Sequence, residues 1–351
     1  MAPLTTLGVG GTARWLWRAQ SADDVAAAHA WCRERGVGLF VLGGGSNLVI
    51  ADEGVDGLVL QMGLRGARFE RDGEDTLLTA CAGDSWDATV AAAVDRGLAG
   101  LECLSGIPGS VGGTPIQNVG AYGQEVGDVI ASVTALDRSN GEITTIAARD
   151  CGFSYRMSRF KAADLDRFVV CEVTFRLHAG PPTVSYPDVI KYLEQGEITT
   201  PTLGDVRRAV IAVRKRKGMV LDPSDGDTRS VGSFFMNPIV AGDVREHVAF
   251  VSHETPPAFA LDDGRVKIPA AWLIERAGFQ KGHADGAAGI STKHPLALVN
   301  RGGAAARDVL RLAAHIKRRV VDRFGIWLRT EPVFVGFVDD PDVTFLQKAG
   351  D

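Results

Sequence analysis

The chain has 351 residues, of which 45% are hydrophobic and 23% are charged, and its formal net charge is −5 at pH 7. The length suits two or three globular domains, and the acidic balance argues against a nucleic-acid-binding protein. The five cysteines are too scattered to predict a disulfide framework or a zinc site. No metal site, signal peptide or membrane span is predicted, so we expect a cytoplasmic protein.

The first hundred or so residues predict alternating helices and strands. A helix is predicted from Ser21, which can cap its start, to Gly36, which can end it. Strands are predicted at 39–42, 55–60 and 77–82, and a second helix runs from Trp86 to Arg96. Glycine-rich loops at the ends of such strands are typical of ligand sites in α/β folds.

Strand character dominates the middle of the chain, from Ile130 to Leu177. Two prolines at 181–182 then predict a loop that contains Tyr186. Further helices are predicted at 203–217, 270–277 and 307–324, and strand character returns at 326–338. Domain boundaries are expected near 64 and 203, and the C-terminal strands are expected to return to the first domain.

Two glycine-rich segments, 42–47 and 105–123, carry most of the functional information. Glycine-rich turns let backbone amides approach an anion, and amide side chains can read the edge of a flat ring. The pair indicates a bound dinucleotide and hence redox chemistry. The candidate cofactor-binding residues are Gly43, Gly44, Gly45, Ser46, Asn47, Ser105, Gly106, Ile107, Pro108, Gly109, Gly112, Gly113, Gln117, Asn118, Gly120, Ala121 and Tyr122.

Plainer interpretations stay open for individual motifs. The segment 43–47 can be a tight turn, and 8–13 fits a G-x-G-x-x-A fingerprint but lacks a preceding strand. The basic run at 213–218 suits a helix C-terminus, although it also suits a phosphorylated substrate. The serine in 229–238 can belong to a capped turn, and Glu331 can pair with an arginine.

Taken together, these motifs resemble the UDP-N-acetylenolpyruvoylglucosamine reductase (MurB) family of peptidoglycan precursor synthesis, in a form similar to its actinobacterial branch. The matching segments are 5–11, 43–47, 106–123, 155–161, 232–238, 267–282 and Glu331. Ser185-Tyr186-Pro187-Asp188 looks like the extra tyrosine loop of one type of the family.

The resemblance implies an α+β protein with an FAD-binding fold of the vanillyl-alcohol-oxidase type in two subdomains and a third, substrate-binding domain. The corresponding ranges are 1–64 with 328–351, 65–203 and 204–327. It also implies non-covalent FAD, NADPH as reductant, a UDP-sugar enol ether as substrate and a monomer.

The resemblance assigns roles to six residues. Arg156 and Glu331 would stabilise an enediolate, provided that Glu331 is protonated, and Ser233 would donate the proton. Tyr186, Lys217 and Asn237 would contact the substrate, with Lys217 suited to its diphosphate.

Two other functions are weighed against this one. A flavin oxidase of the same fold acting on an alcohol or lactone often tethers its flavin through histidine or cysteine, and 43–47 contains neither. A non-catalytic nucleotide-binding module is disfavoured by the presence of Arg156, Ser233 and Glu331.

Overall fold

The computed structural model describes residues 1–349, which divide into two compact units. The central unit comprises residues 13–44 and 56–220. The C-terminal unit combines Met1–Thr12, Gly45–Val55 and the chain from Leu221 onward. The predicted three-part division remains a prediction; its range 65–203 lies wholly within the central unit.

The helices and strands are numbered in chain order. The helices are α1 (Ala22–Arg35), α2 (Trp86–Val94), α3 (Pro187–Gln195), α4 (Leu203–Arg216), α5 (Gly242–Ser252), α6 (Ala270–Arg276), α7 (Ala306–Phe324) and α8 (Pro341–Gln347). The strands are β1 (Ala13–Ala19), β2 (Leu39–Leu42), β3 (Leu48–Ile50), β4 (Val55–Met62), β5 (Ala67–Asp72), β6 (Asp75–Cys81), β7 (Leu98–Ala99), β8 (Gly120–Ala121), β9 (Gln124–Glu125), β10 (Ile130–Asp137), β11 (Glu142–Ala147), β12 (Phe168–Ala179), β13 (Ser230–Ser233), β14 (Ile239–Val240), β15 (Phe259–Ala260), β16 (Val266–Lys267), β17 (Ala284–Asp285), β18 (Ala288–Ile290), β19 (Ala297–Asn300) and β20 (Val333–Val335).

The central unit is built on two larger sheets. One has the strand order β1-β4-β2, with β2 and β4 parallel. The other has the order β11-β10-β12-β6-β5, with β7 paired to β12. Trp86 and Phe175 are buried in the core between these elements, with ring centroids 5.7 Å apart. A smaller cluster around Val206 and Val210 packs α3 against α4.

The C-terminal unit packs α7 against a four-stranded sheet of order β13-β19-β18-β17. The N-terminal residues belong to this core, because Leu7 is fully buried and its carbonyl accepts a hydrogen bond from Asn300 Nδ2 at 3.1 Å. The hydroxyl of Thr6 donates to the carbonyl of Ser230 at 2.6 Å. The chain's first turn is therefore held by β13 and β19. Strand β20 pairs with β3 in parallel, which brings the C-terminal strand beside an early segment of the chain.

The strongest sequence signals are confirmed. Helix α1 begins after Ser21, whose side chain accepts from the Asp24 amide, and ends at Gly36 in the left-handed conformation. Tyr186 lies in the predicted loop, at the N-cap position of α3. The structure differs elsewhere. The segment 151–167 interrupts the strand-like middle region, and only 333–335 of the predicted 326–338 tail forms a strand. None of the helices within residues 1–349 has the length and apolar character needed to cross a bilayer.

Candidate functional site

Two glycine-rich segments of the central unit pack backbone against backbone. A Cβ added to Gly44 would lie 2.6 Å from the Cα of Gly109, and a Cβ added to Gly43 would lie 2.6 Å from Oγ of Ser110. Gly109 also has a φ of 127°, which residues with a side chain rarely adopt. The structure therefore brings members of the two predicted cofactor segments into direct contact, and that contact requires glycine.

The start of the second glycine segment is anchored by a partly buried ion pair. The Gly106 amide donates to Oδ1 of Asp87 at 2.6 Å, and Arg207 donates to both carboxylate oxygens at 2.6 and 2.9 Å. Burial alone would raise the pKa of Asp87, but the hydrogen bonds from Arg207 and Gly106 outweigh it and hold that pKa below its usual value. The Asp87 carboxylate therefore stays ionised and fixes the backbone at Gly106.

Asn118 organises the second half of the same segment. Its Nδ2 donates to Glu125 Oε2 at 2.6 Å and to the Ser154 carbonyl at 3.0 Å, and its Oδ1 accepts from the Gly127 amide at 2.9 Å. Asn118 has a φ of 46°, a conformation that asparagine tolerates better than most residues. Its amide group is thus used to shape the loop, and a direct contact with a cofactor remains a prediction.

Arg156 occupies an unusual backbone conformation next to this loop. Its φ is 55°, and its Nη2 donates to the carbonyl of Gly120 at 2.7 Å. A Cβ on Gly120 would lie 3.2 Å from Nη1 of Arg156, so glycine allows this close approach. Strained backbone conformations are common at functional sites, so the strain at Arg156, next to the glycine-rich segment, points to a functional role. The guanidinium of Arg156 is held against the predicted cofactor segment.

A second cluster joins the start of α3 to the end of α4. Tyr186 is 40% exposed and meets Tyr122 edge to face, with ring centroids 5.0 Å apart. Lys217 ends α4 and donates through Nζ to Oδ2 of Asp188 at 2.6 Å. Burial alone would lower the pKa of Lys217, but the hydrogen bond to the Asp188 carboxylate outweighs burial and raises that pKa above its usual value. The ammonium group therefore stays charged. The structure brings Tyr186 and Lys217 together and also brings in Tyr122.

Arg214 was not singled out from the sequence, although the structure places it at the centre of this region. Its side chain is buried and Nη2 donates to the Met219 carbonyl at 2.7 Å, whereas Nε has no hydrogen-bond partner in the described part of the chain, residues 1–349. A Cβ on Gly106 would lie 3.6 Å from that Nε. Burial lowers the pKa of Arg214, and Tyr122 partly offsets this effect.

One sequence signal could have identified Arg214. It follows Val206 and Val210 at intervals of four residues, so it continues the apolar face of α4 rather than its solvated face. A cationic side chain at such a position is buried, and buried cations are rare unless they are paired with an anion or a hydrogen-bond acceptor.

In the C-terminal unit, backbone pairing brings Ser233 and Glu331 close together. Phe235 forms an antiparallel bridge with Thr330, and the Glu331 amide donates to the carbonyl of Phe234 at 2.9 Å. Ser233 immediately precedes this pair and ends β13. Phe234 and Phe235 are both buried, so the pairing is fixed by the core. The predicted proton donor and the predicted carboxyl group therefore lie on neighbouring positions of two paired segments.

Asn47 ties the first glycine motif to Glu331. Its Nδ2 donates to the Glu331 carbonyl at 3.1 Å, and its own carbonyl accepts from the Val333 amide at 3.0 Å. Gly45, two residues earlier, leaves no room for a side chain, because a Cβ there would lie 2.0 Å from the Leu4 carbonyl. The residues 45–47 of the predicted cofactor loop thus position the backbone of Glu331.

Asn237 has a clear local role. Its Oδ1 accepts the Ala270 amide at 2.9 Å and so caps the start of α6. A contact with substrate remains a prediction. The other predicted cofactor residues, Ser105, Ile107, Pro108, Gly112, Gly113, Gln117 and Ala121, all lie in the central unit, whereas Ser46 lies in the C-terminal unit.

Comparison with known proteins agrees with this arrangement. A family model described as UDP-N-acetylenolpyruvoylglucosamine reductase, C-terminal domain, matches residues 222–335, and one described as FAD binding domain matches residues 14–147. The UDP-N-acetylenolpyruvoylglucosamine reductase of Thermobifida fusca is 48% identical over 345 residues, covering 96% of this chain and 96% of that protein. The reductase of Streptomyces coelicolor is 48% identical over 350 residues, covering 96% of this chain and 89% of that protein.

A solved structure supports the same conclusion. The crystal structure of UDP-N-acetylenolpyruvylglucosamine reductase (MurB) from Thermus caldophilus matches with a TM-score of 0.64 and 27% identity, covering 95% of this chain and 96% of that one. This match, the FAD-binding-domain match and the mixture of helices and sheets confirm the expected α+β fold with an FAD-binding domain. The chain belongs to the UDP-N-acetylenolpyruvoylglucosamine reductase family.

Proposed function

We propose that this protein is an FAD-dependent, NADPH-consuming reductase that converts UDP-N-acetylglucosamine enolpyruvate to UDP-N-acetylmuramate. The observation that carries the proposal is the backbone pairing that puts Glu331 beside Ser233. An enolpyruvyl group that accepts hydride at its terminal carbon needs a proton at the neighbouring carbon. It also needs donors for the charge that spreads into its carboxylate. A serine and a carboxyl group on adjacent paired positions suit those two tasks.

The residues of the central unit fit FAD. The segments meet at Gly44 and Gly109 without side chains between them, and glycine backbone of this kind lets an anion such as a pyrophosphate approach. Arg214 offers a buried Nε near Gly106 that has no hydrogen-bond partner among residues 1–349, which suits the electron-rich edge of an isoalloxazine. FAD, when bound, supplies the hydride. The glycine segments would hold it and Arg214 would favour the negative charge that reduction brings.

Three side chains act on the reacting group. Arg156 donates hydrogen bonds to the developing enediolate, and the carboxyl group of Glu331 is assigned to the same charge. Ser233 transfers its hydroxyl proton to the carbon next to the carboxylate. A hydroxyl is a weak acid, so this transfer requires a strongly basic carbon within hydrogen-bond reach.

The substrate's nucleotide end is assigned to the α3–α4 cluster. Lys217 carries a charge suited to a diphosphate, and in this structure that charge is balanced by Asp188. Nζ of Lys217 lies over the ring of Tyr186, 5.8 Å from the ring centroid. Asn237 is the third residue proposed to contact the substrate. NADPH and the sugar nucleotide would use the site in turn, which predicts ping-pong kinetics.

An anaerobic spectrum tests the proposal. The purified protein is reduced with NADPH and then mixed with UDP-N-acetylglucosamine enolpyruvate. Loss of the yellow colour followed by its return on addition of the enol ether is the expected result. Recovery only on admitting oxygen would indicate an oxidase, and a colourless protein that does not bind FAD would indicate a non-catalytic module.

The proposal also covers the oligomeric state of the protein and its location in the cell. A monomer in the cytoplasm is what the resemblance implies for an enzyme acting on a nucleotide sugar and NADPH. Light scattering coupled to gel filtration tests the first, and fractionation of the producing cell tests the second. A stable dimer or a membrane-associated fraction would correct them without affecting the reaction.

A further inference from the structure

A fully buried carboxylate, Glu102, lies directly before the second glycine segment. Its Oε2 accepts the Gly100 amide at 2.8 Å. Its Oε1 accepts both Nε2 of Gln124 and the Thr183 amide, each at 2.8 Å. Its own carbonyl accepts the Ser105 hydroxyl at 2.7 Å. Glu102 thus joins its own turn, from Gly100 to Ser105, to two segments that are distant in sequence, at Gln124 and Thr183.

The nature of its partners makes Glu102 unusual. Buried carboxylates are normally paired with a cation, because an ionised group away from water carries a penalty of several kcal/mol. Within residues 1–349, the side-chain hydrogen bonds of Glu102 come from neutral N–H groups alone. A neutral amide at this position would avoid that penalty. Both carboxyl oxygens accept from N–H donors, so the NH₂ group of a glutamine at this position would have to face one of those donors.

The network fixes Thr183 at three points. Its amide donates to Glu102, its Oγ1 lies 3.2 Å from Nε2 of Gln124, and its carbonyl accepts from Sγ of Cys103 at 3.3 Å. Gln124 is itself fixed, because its Oε1 accepts the Cys103 amide at 2.9 Å. Thr183 stands three residues before Tyr186, so the network sets where the tyrosine segment leaves the core.

The same network also sets the glycine segment. Ser105 is fully buried and is bound through its hydroxyl to the carbonyl of Glu102, and Gly106 follows it. Glu102 is therefore connected on one side to a predicted cofactor segment and on the other to a predicted substrate segment. Neither Glu102 nor Thr183 was assigned a role from the sequence.

We propose that Glu102 is a positioning residue, whose buried carboxylate holds the Tyr186 segment in register with the glycine segment at 105–106 and so sets affinity for the sugar nucleotide. This inference rests on the proposed function, because it takes Tyr186 and Lys217 to contact that substrate. Glu102 itself touches neither substrate nor cofactor. Its replacement changes binding of the nucleotide sugar more than it changes the reaction with NADPH.

The test compares three variants of the full-length, FAD-loaded protein. Glu102→Gln keeps the shape of the side chain, but its NH₂ group would face one of the N–H donors that now bind the carboxyl oxygens. We therefore expect KM and the equilibrium Kd for UDP-N-acetylglucosamine enolpyruvate to rise about three- to tenfold. The rate of FAD reduction by NADPH and the bound FAD content should stay within twofold of wild type. Thr183→Val, which removes a single hydroxyl contact, should raise the same Kd by less.

Asp137→Asn is the matched control. Asp137 is a buried carboxylate of the same unit, bound to Arg167 and Ser139 and unconnected to the Glu102 network. It should lower the melting temperature without raising the Kd. If Glu102→Gln lowers the melting temperature, the bound FAD content and the rates of both half-reactions together, Glu102 has only a structural role and the inference is wrong. An unchanged Kd in Glu102→Gln would overturn the inference, whatever the result for Thr183→Val.

Lys217→Ala separates this inference from the proposed function. If Lys217→Ala weakens sugar-nucleotide binding and Glu102→Gln does not, the positioning role fails and the proposed substrate site stands. If Lys217→Ala has no effect on the Kd, the proposed site itself is wrong and the role of Glu102 fails with it.

Discussion

The Glu331 amide donates a hydrogen bond to the carbonyl of Phe234 at 2.9 Å, and this single contact puts the carboxyl-bearing residue next to Ser233. The position is secured from the other side, because Asn47 donates to the Glu331 carbonyl at 3.1 Å. Both contacts are made by backbone atoms of Glu331. Substitutions of the Ser233 or Glu331 side chains should therefore change chemistry without displacing the backbone.

Ser233→Ala tests the proton donor. Reduction of bound FAD by NADPH should remain near wild type, because the hydroxyl is not needed for that step. Reoxidation by the enolpyruvyl substrate should slow about 10²- to 10⁴-fold, the usual contribution of a positioned proton donor. Stopped-flow absorbance measures both rates. Ser252→Ala, on α5, is the control, and a normal reoxidation rate in Ser233→Ala would remove Ser233 from the mechanism.

Gly44→Ala tests the contact between the glycine segments. The new methyl group would lie 2.6 Å from the Cα of Gly109, where only backbone can yield. We expect about ten- to hundredfold weaker FAD binding, consistent with the cost of overpacking. Gly38→Ala is the matched control, because no atom lies within 4 Å of its added Cβ. Equal FAD affinity in the two variants, measured by fluorescence titration, would mean that the contact does not form the cofactor site.

Arg214→Met tests the buried cation. Removing a positive charge from the proposed flavin edge should lower the reduction potential of bound FAD by on the order of 30 mV or more, since 30 mV corresponds to about 1.4 kcal/mol for two electrons. Spectroelectrochemistry measures this without turnover. Arg216→Met, an exposed position on the same helix, should leave the potential unchanged. A wild-type potential in Arg214→Met would place the flavin edge elsewhere.

Lys317 predicts a pH dependence of stability in the C-terminal unit. Its ammonium is fully buried, donates to the carbonyls of Leu346 and Lys348 at 2.7 and 2.6 Å, and lies between the rings of Trp327 and Phe345. Burial lowers its pKa to about 8. Between that value and the unfolded value near 10.4, the unfolded chain binds more protons, so stability rises with pH.

The measurement is the free energy of unfolding at pH 7.5 and 9.5. Other groups also titrate in this range, so the informative quantity is the difference between wild type and Lys317→Met. Wild type should gain about 1 kcal/mol relative to the variant on going to the higher pH. A difference that is constant with pH would show that Lys317 is protonated throughout and that its two carbonyl partners suffice to keep it charged.

The parts of the fold that could be predicted from the sequence are those specified by neighbouring residues. Ser21 and Gly36 mark α1 because capping and left-handed termination are local chemistry. Helices α3 and α8 were not predicted, and both begin at a proline, Pro187 and Pro341. At the first helical position proline favours a helix, because its missing N–H is not needed there and its fixed φ suits the helix.

The parts that could not be predicted depend on residues far apart in the chain. The resemblance assigned roles to Ser233 and Glu331, but no local pattern indicates that their segments pair, because antiparallel pairing between distant segments is set by the core. Glu102 was missed for the same reason, because it is a single acidic residue and two of its partners, Gln124 and Thr183, lie on distant segments. Arg214 was missed because the basic run around it suited a solvated helix end equally well.

The N-terminal turn has a consequence for the order in which the protein is completed during synthesis. The hydroxyl of Thr6 and the carbonyl of Leu7 find their partners at Ser230 and Asn300. During synthesis these N-terminal residues lack their hydrogen-bond partners until most of the chain has left the ribosome. The central unit, whose residues all precede Leu221, can form while they wait. During synthesis we therefore expect the C-terminal unit, and with it the pairing of Ser233 and Glu331, to close after the central unit has formed.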